Sequence, residues 1–303
     1  MATQYNSFGN SSFGQMTLLP NIEKMVEYAE GTTMENSYKG IAKFSRAYLF
    51  YKLTMRVGDI PYSQANQGAI GNYRPVYDTQ KEVLLGILDE LKEADAYFAK
   101  GVRFEGDPTP FAGEPEKWRR ASNAFALRIL MSMSKKADNA SLKLKERFAE
   151  IVRSGYLLNE SDGYLGLMYN SINKHPLSGT NDLFTSRTVI SSLLIDELKK
   201  LNDRRLFYFA EPASIEIAGG ASESDMNAYV GVNTSMDYAL MTNEYLKGAY
   251  SLLNVRYLRD ATCEPRMMVS YAEQQFILAE ARIRGWITTG SAEEYYQSGV
   301  EWA

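Results

Sequence analysis

Residues 37–57 carry the pattern that most limits the fold of this chain, because their apolar side chains recur at steps of three and four. That spacing places them along one face of an α-helix of about six turns, with one buried stripe. Gly58 follows the stripe and is a typical helix end. We therefore interpret the stripe as part of a hydrophobic core. Its members are Tyr38, Ile41, Ala42, Ser45, Tyr48, Leu49 and Leu53.

The same periodicity predicts several more helices. Asp78 is expected to cap the next long helix. Pro115 suits the first turn of a further helix, which is apolar on nearly every side over residues 118–133, as in the middle of a bundle. Its arginines, Arg120 and Arg128, are expected to pair with carboxylates. Other predicted helices cover residues 21–30, 141–154, 187–201 and 268–285, and a last one begins with a capping box at Ser291 and Glu294.

These helix pairs predict an all-α-dominated fold with a tetratricopeptide-like frame, although a strict repeat period is missing. Residues 156–266 differ, because tyrosines are scattered there among Asn, Ser and Gly. That composition predicts a long, irregular, loop-rich segment with short strands rather than a second compact domain. We predict a single, incomplete domain. Residues 20–155 form its helical frame, residues 156–266 face the ligand, and residues 267–303 form a returning helix pair.

Composition excludes several classes of function. A net charge of −4 argues against a nucleic-acid surface, which needs an excess of Lys and Arg. One cysteine and one histidine leave little material for nucleophilic catalysis or a metal site, so we predict no cofactor, no metal and no enzyme activity. The acidic pairs Asp89–Glu90 and Glu293–Glu294 are expected on solvated helix faces. An all-helical glycosidase would need two carboxylates held across a cleft.

The tyrosines suggest what the loop-rich segment binds. On the predicted helices, Tyr48, Tyr51, Tyr97 and Tyr271 are expected to pack in the core. In a loop, an exposed ring beside amide and hydroxyl groups suits a sugar, whose C–H bonds pack on the ring while its hydroxyls form hydrogen bonds. The residues that we predict to bind ligand on this ground are Tyr164, Tyr169, Asn173, Tyr229, Asn233 and Tyr238.

Six short strings occur in a fixed order along the chain. None is specific alone, but the ordered set is. The strings are Gly-Asp-Ile-Pro-Tyr at 58–62, Val-Tyr-Asp-Thr-Gln at 76–80, Lys-Trp-Arg-Arg at 117–120, Leu-Asn-Asp-Arg-Arg-Leu at 201–206, Ser-Tyr-Ala-Glu through Ala-Glu-Ala at 270–281 and Ser-Ala-Glu-Glu-Tyr-Tyr at 291–296. Together they resemble the SusD/RagB family of nutrient-binding outer-membrane lipoproteins of Bacteroidetes, and in particular its SusD-like subgroup.

The resemblance implies a non-catalytic protein at the cell surface that captures an oligosaccharide, or in RagB-type members a peptide. It also implies delivery of that ligand to a SusC-like TonB-dependent transporter in the outer membrane. The alternative is a helical scaffold that binds only a protein partner. The family strings are structural, with Asp59 expected to hold its loop through backbone N–H groups and Pro61 to fix the turn. Ligand residues vary within the family, so the resemblance assigns none here.

Two features depart from the family pattern. The lipoprotein signal and its amino-terminal cysteine are missing, since the single cysteine is Cys263. The family's last helices are also missing after Ala303. We therefore expect the chain to be a portion of a longer protein.

Overall fold

The computed structural model of the chain describes residues 13–179 and 188–303. The chain divides into two compact units. The frame unit consists of residues 13–167 and 266–303, and the loop unit consists of the described residues of 168–265. Each unit has its own cluster of buried apolar side chains.

Helices are the main element of the described chain, which confirms the predicted all-α-dominated fold. In the described residues, none of these helices is long and apolar enough to cross a membrane. Two short strands, β1 (Tyr164–Leu167) and β2 (Arg266–Ser270), form one antiparallel pair. In chain order the α-helices are α1 (Leu19–Ala29), α2 (Glu35–Val57), α3 (Gln80–Phe98), α4 (Pro115–Ser132), α5 (Leu144–Ser154), α6 (Ser192–Lys200), α7 (Leu206–Phe209), α8 (Ser214–Ala218), α9 (Tyr238–Leu246), α10 (Arg256–Arg259), α11 (Tyr271–Ile283) and α12 (Ala292–Trp302).

Helix α4 lies in the middle of the frame unit, where it packs against α3, α5 and α11. Phe125 is fully buried, as are apolar residues on nearly every side of this helix. Its arginines reach carboxylates on other elements, as the sequence predicts. Arg120 Nη1 lies 3.0 Å from Asp162 Oδ2, and Arg128 pairs with Glu273 of α11. These ion pairs connect the central helix to the segments around it.

The cap predicted for α3 is wrong by one residue. Thr79, not Asp78, is the cap, and it forms a capping box with Glu82. The Asp78 carboxylate points to the preceding turn instead, where it accepts the backbone N–H groups of Tyr62 at 2.9 Å and Ser63 at 2.8 Å. A carboxylate that already accepts two backbone donors in the turn is not available to cap the helix.

The helix predicted over residues 268–285 begins later than expected. Helix α11 starts at Tyr271, because the residues before it form strand β2. This strand pairs with β1, and Tyr164 lies opposite Ser270. The Ser270 hydroxyl then caps α11. Since β1 lies far earlier in the chain, local periodicity could not reveal the pairing.

The loop unit is compact, whereas the sequence led us to expect loops and short strands there. Its regular elements are the short helices α6 to α10, and β-pairing in its described residues is confined to isolated bridges. Helix α6 is the helix predicted over 187–201, of which residue 187 lies outside the described residues. The unit packs around the buried side chains of Ile195, Leu198, Leu206, Ala210, Ala228 and Tyr229. Helices α7, α8 and α10 have only four or five residues, too few to show a periodic stripe, which is why the sequence pattern missed them.

Candidate functional site

Arg256, at the start of α10, contacts two tyrosine rings of the loop unit. Its guanidinium carbon lies 3.3 Å from the ring centroid of Tyr208 and 4.2 Å from that of Tyr257. The Asn254 side chain holds α7 near α10 by donating to two carbonyl oxygens of the α7 segment. Tyr257 is buried, but Tyr208 is 46% exposed. The cluster therefore presents one tyrosine to solvent with an arginine against it.

Glu264 fixes both the arginine and the buried tyrosine. Its Oε1 accepts hydrogen bonds from the Arg256 guanidinium and, at 2.9 Å, from the Tyr257 hydroxyl. Arg256 Nε also donates to the Tyr208 carbonyl oxygen at 3.1 Å. Burial and the bond to Glu264 raise the pKa of Tyr257 to about 12, so its hydroxyl remains a donor at neutral pH. These bonds hold Arg256 in one orientation.

His175, the only histidine in the sequence, extends this cluster. Its ring centroid lies 5.1 Å from that of Tyr169, edge-on, and 6.0 Å from that of Tyr257. Its backbone N–H donates to the Ala261 carbonyl oxygen at 2.7 Å, and its Nδ1 accepts the N–H of Leu177 at 3.3 Å. We name the set Tyr169, His175, Tyr257, Arg256 and Tyr208 the aromatic row.

Of the six predicted binding residues, Tyr169 belongs to the aromatic row. Asn173 lies exposed in the same loop, where its backbone N–H donates to Asn170 Oδ1 at 2.7 Å. Tyr229 is 3% exposed and belongs to the buried cluster of the loop unit. Its hydroxyl donates to the Glu223 carbonyl oxygen at 2.9 Å, and burial raises its pKa. The Tyr229 ring therefore packs in a core instead of offering a face to a ligand.

The other three predicted residues occupy different elements. Asn233 is exposed, and its side-chain oxygen accepts the Ser235 N–H at 2.9 Å. Tyr238 is exposed at the first position of α9, which Asp237 caps. Tyr164 belongs to the frame unit, where its ring lies edge-on to Trp302 on α12. The structure thus places the six residues in both units, on a strand, in loops, in a core and at a helix start.

Sequence reasoning did not select His175, Tyr208, Arg256 or Tyr257. The two tyrosines were counted among those scattered through the loop-rich segment, but nothing local singled them out. Tyr208 and Arg256 are 48 positions apart, and only the packing of α7 against α10 brings them together. The available signal was compositional: Arg-Tyr at 256–257 and Phe-Tyr-Phe at 207–209 are aromatic groups within a polar segment.

The aromatic row offers stacking faces and hydrogen bonds rather than reactive groups. Burial raises the pKa of the nearby Cys263, which favours its thiol over the nucleophilic thiolate. Among the described residues, no group of three His, Cys, Asp or Glu side chains is arranged to hold a metal ion. Rings beside a fixed guanidinium suit a ligand that packs on them and forms hydrogen bonds along its edge.

The frame unit has another place where aromatic rings meet polar groups. This cleft of about 550 Å³ lies between α1, α2 and α4. Tyr48 lines it, with the Lys52 ammonium 5.6 Å from its ring centroid, and Trp118 lies against the same space. Tyr48 is half-buried and packs against the core of the frame unit, as the sequence predicts. This cleft is a second candidate binding site, as an alternative to the aromatic row.

The chain is similar to proteins of known structure. A SusD homologue from Bacteroides fragilis is 41% identical with a TM-score of 0.88, and the match covers 98% of this chain and 63% of that one. A second SusD homologue from the same organism is 34% identical with a TM-score of 0.80, covering 95% and 62%. A chitin-binding protein is 26% identical with a TM-score of 0.71, covering 93% and 59%.

A family model for SusD-like proteins, described as "Starch-binding associating with outer membrane", matches residues 2–303. No protein of curated function matches the chain. The chain spans just under two thirds of the length of the SusD homologues above. Because the family model covers nearly the whole chain, the chain belongs to the SusD-like family.

Proposed function

We propose that the protein binds an oligosaccharide at the aromatic row, without turning it over, and delivers it to a SusC-like TonB-dependent transporter at the outer membrane. The family description and the similar chitin-binding protein support the glycan as ligand. The structural observation that carries the proposal is the exposed Tyr208 ring with Arg256 fixed 3.3 Å from its centroid. Tyr169, also in the row, was predicted from the sequence on the same chemical ground.

The chemistry of the row matches a sugar in two ways. A pyranose packs its C–H bonds on an aromatic face and needs hydrogen-bond partners for its hydroxyl groups. Tyr208 supplies a ring that is 46% exposed, with the Arg256 guanidinium over it. The Arg256 and Glu264 side chains, 21% and 34% exposed, are the polar groups next to the ring. Since Arg256 is already held by Glu264, little side-chain entropy is lost when the ligand binds. Asn173, Asn233 and Tyr238 are proposed as additional contacts for a longer glycan chain.

Calorimetric titration with chito- and malto-oligosaccharides tests the proposal. We expect Tyr208→Ala to weaken binding about fivefold, since losing a stacking ring costs roughly 1 kcal/mol. Tyr28→Ala is the matched control, because Tyr28 is an exposed tyrosine on α1 of the frame unit. Tyr48→Ala tests the frame cleft. Loss of binding in Tyr48→Ala but not in Tyr208→Ala would move the site to that cleft.

The same samples also test the alternatives, which are an enzyme that cleaves the glycan, a peptide-binding protein and a scaffold that binds only a protein. A reducing-end assay on the incubated oligosaccharides is expected to show no new chain ends. Affinity for peptides without affinity for oligosaccharides would favour a RagB-type ligand. If neither class binds while the purified transporter does, the protein is a scaffold for its partner.

A further inference from the structure

Residues 63–77 form a surface loop between α2 and α3 that exposes an unusual amount of apolar surface. Ile70 is 80% exposed and Tyr73 is 81% exposed, and more than half of Val76 and Tyr77 is exposed as well. Single exposed apolar residues are common on protein surfaces, but four large ones within eight positions form a patch. This loop belongs to the frame unit and contains none of the residues of the aromatic row.

Internal hydrogen bonds give the loop a fixed shape. The Asn72 amide donates to Gln64 Oε1 at 3.1 Å and to Gln67 Oε1 at 3.0 Å. Gln64 Oε1 also accepts the backbone N–H of Val76 at 3.2 Å. The two ends of the loop are also joined, because the Asp78 carboxylate, just after the loop, accepts the N–H of Ser63 at its start. The apolar side chains are therefore presented by an ordered backbone, as in preorganised binding surfaces.

A sugar is a poorer ligand for this loop, because its hydroxyl groups need several polar side chains at the surface. The Asn72 and Gln64 side chains are half-buried and bond to each other. What remains exposed is apolar and aromatic area plus the Arg74 guanidinium. In the described chain, Arg74 has no ion pair or side-chain hydrogen bond. Tyrosine and arginine are typical of the centres of protein–protein interfaces.

Charge also argues against a second copy of the same chain. Arg74 is the only charged residue between Ser63 and Tyr77. In a two-fold contact the same patch meets itself, so two unpaired arginines would be buried near each other. A partner with an apolar pocket and a carboxylate at its edge removes that repulsion and neutralises the guanidinium.

We propose that residues 63–77 are a docking loop for a protein partner, with Ile70 and Tyr73 as apolar anchors and Arg74 paired to a carboxylate of the partner. The partner assigned to it is the outer-membrane transporter, an assignment that rests on the proposed function. Docking through this loop leaves the aromatic row to bind ligand independently.

Site-specific photo-cross-linking in cells tests the docking loop. The photoreactive residue p-benzoylphenylalanine replaces Tyr73 in the full-length protein, expressed with its own transporter. The control places it at Tyr28, which is equally exposed, at 81%, on α1 of the same unit. We expect a transporter adduct from position 73 and at least tenfold less from position 28. Equal yields, an adduct between two copies, or no transporter adduct overturns the proposal.

Binding assays with the purified protein and transporter distinguish an error in the docking-loop proposal from an error in the proposed function. Tyr73→Ala and Arg74→Glu are each expected to weaken binding to the detergent-solubilised transporter at least tenfold, with Arg74→Lys close to wild type. Their melting temperatures and oligosaccharide affinities should stay unchanged. If the variants bind the transporter as wild type does, the loop proposal fails while the function stands. If wild type binds no oligosaccharide but Tyr73-dependent docking persists, the glycan function fails while the loop stands.

Discussion

At the scale of one residue, Glu90 is buried where the sequence predicts an exposed side chain. The neighbouring acids Asp89 and Glu90 were both expected on a solvated face. Asp89 is largely exposed and pairs with Arg147 at 2.9 Å. Glu90 is only 8% exposed, which corrects that expectation: its Oε1 accepts from Arg46 Nε at 2.7 Å. Its Oε2 has no hydrogen-bond partner in the described part of the chain.

The Glu90 carboxylate is therefore expected to destabilise the fold when it is charged. Burial raises its pKa despite the opposing attraction of Arg46. A raised pKa in the folded state stabilises the fold below the unfolded value, near 4.5, and that stabilisation is lost as the pH rises through the folded pKa. Relative to Glu90→Gln, wild type should lose on the order of 1 kcal/mol of unfolding free energy as the pH rises from 4.5 to 8.

Urea unfolding of both proteins across this pH range measures the difference. Asp89→Asn is the matched control, because that carboxylate is on the same helix but exposed. Its difference from wild type should change little over the same range. A wild-type curve parallel to that of Glu90→Gln would show that Glu90 does not titrate there, and the proposed cause would be wrong.

At the scale of an element, two carboxylates tie the turn from Gly58 to Tyr62 to the start of α3, and they accept different numbers of hydrogen bonds. Asp78 accepts two backbone N–H groups and the Ser63 hydroxyl. Partial burial acts to raise its pKa, but these hydrogen bonds outweigh it and hold the pKa below its ordinary value. Asp59 accepts one backbone N–H, from Gln80, at 2.8 Å.

Removing the two acids in turn tests this ranking. Asp78→Ala leaves several donors unpaired and should cost about 2 kcal/mol of unfolding free energy, whereas Asp59→Ala should cost about 1 kcal/mol or less. Chemical denaturation of both variants at pH 7 measures the two costs. Because the pKa of Asp78 is lowered, its contribution is present above the unfolded value and is lost as the pH falls through the folded pKa. Equal costs for the two variants would contradict the ranking.

Helices with a long apolar stripe could be predicted from the sequence, as α2 and α4 show, because their periodicity is a local property. The capping box at Ser291 and Glu294 was predicted for the same reason, and the structure confirms it. Strand β2 could not be predicted, since its partner β1 lies far away along the chain. The cap of α3 was misplaced because the role of Asp78 depends on a turn 15 residues earlier.

At the scale of the whole molecule, the two units differ in the size of their hydrophobic clusters. In the described residues, six buried side chains form the cluster of the loop unit, while that of the frame unit includes most of α4 and stripes from α2 and α3. Local opening is cheaper where fewer apolar contacts are lost. We therefore expect backbone amides of the loop unit to exchange with solvent faster than those of α4.

Hydrogen–deuterium exchange with mass spectrometry checks this expectation. Peptides covering 204–210 and 254–264 should exchange faster than peptides of α4 without ligand. Saturating oligosaccharide should slow them, while the docking loop at 63–77 stays unchanged. Protection of 63–77 by oligosaccharide alone would contradict the separate roles that we propose for the two surfaces.

The sequence by itself determined the helical frame and, through six ordered strings, the family to which the chain belongs. It also led to the prediction, which stays a prediction, that tyrosines of the segment after residue 156 bind ligand. Only the tertiary structure decided which aromatic residues meet, since Tyr208, Arg256 and His175 come from separate segments of the loop unit. It also placed Tyr229 in a core and exposed Tyr73 in a fixed loop. The physical reason is that helix periodicity depends on neighbours in sequence, whereas burial and ring contacts depend on neighbours in space.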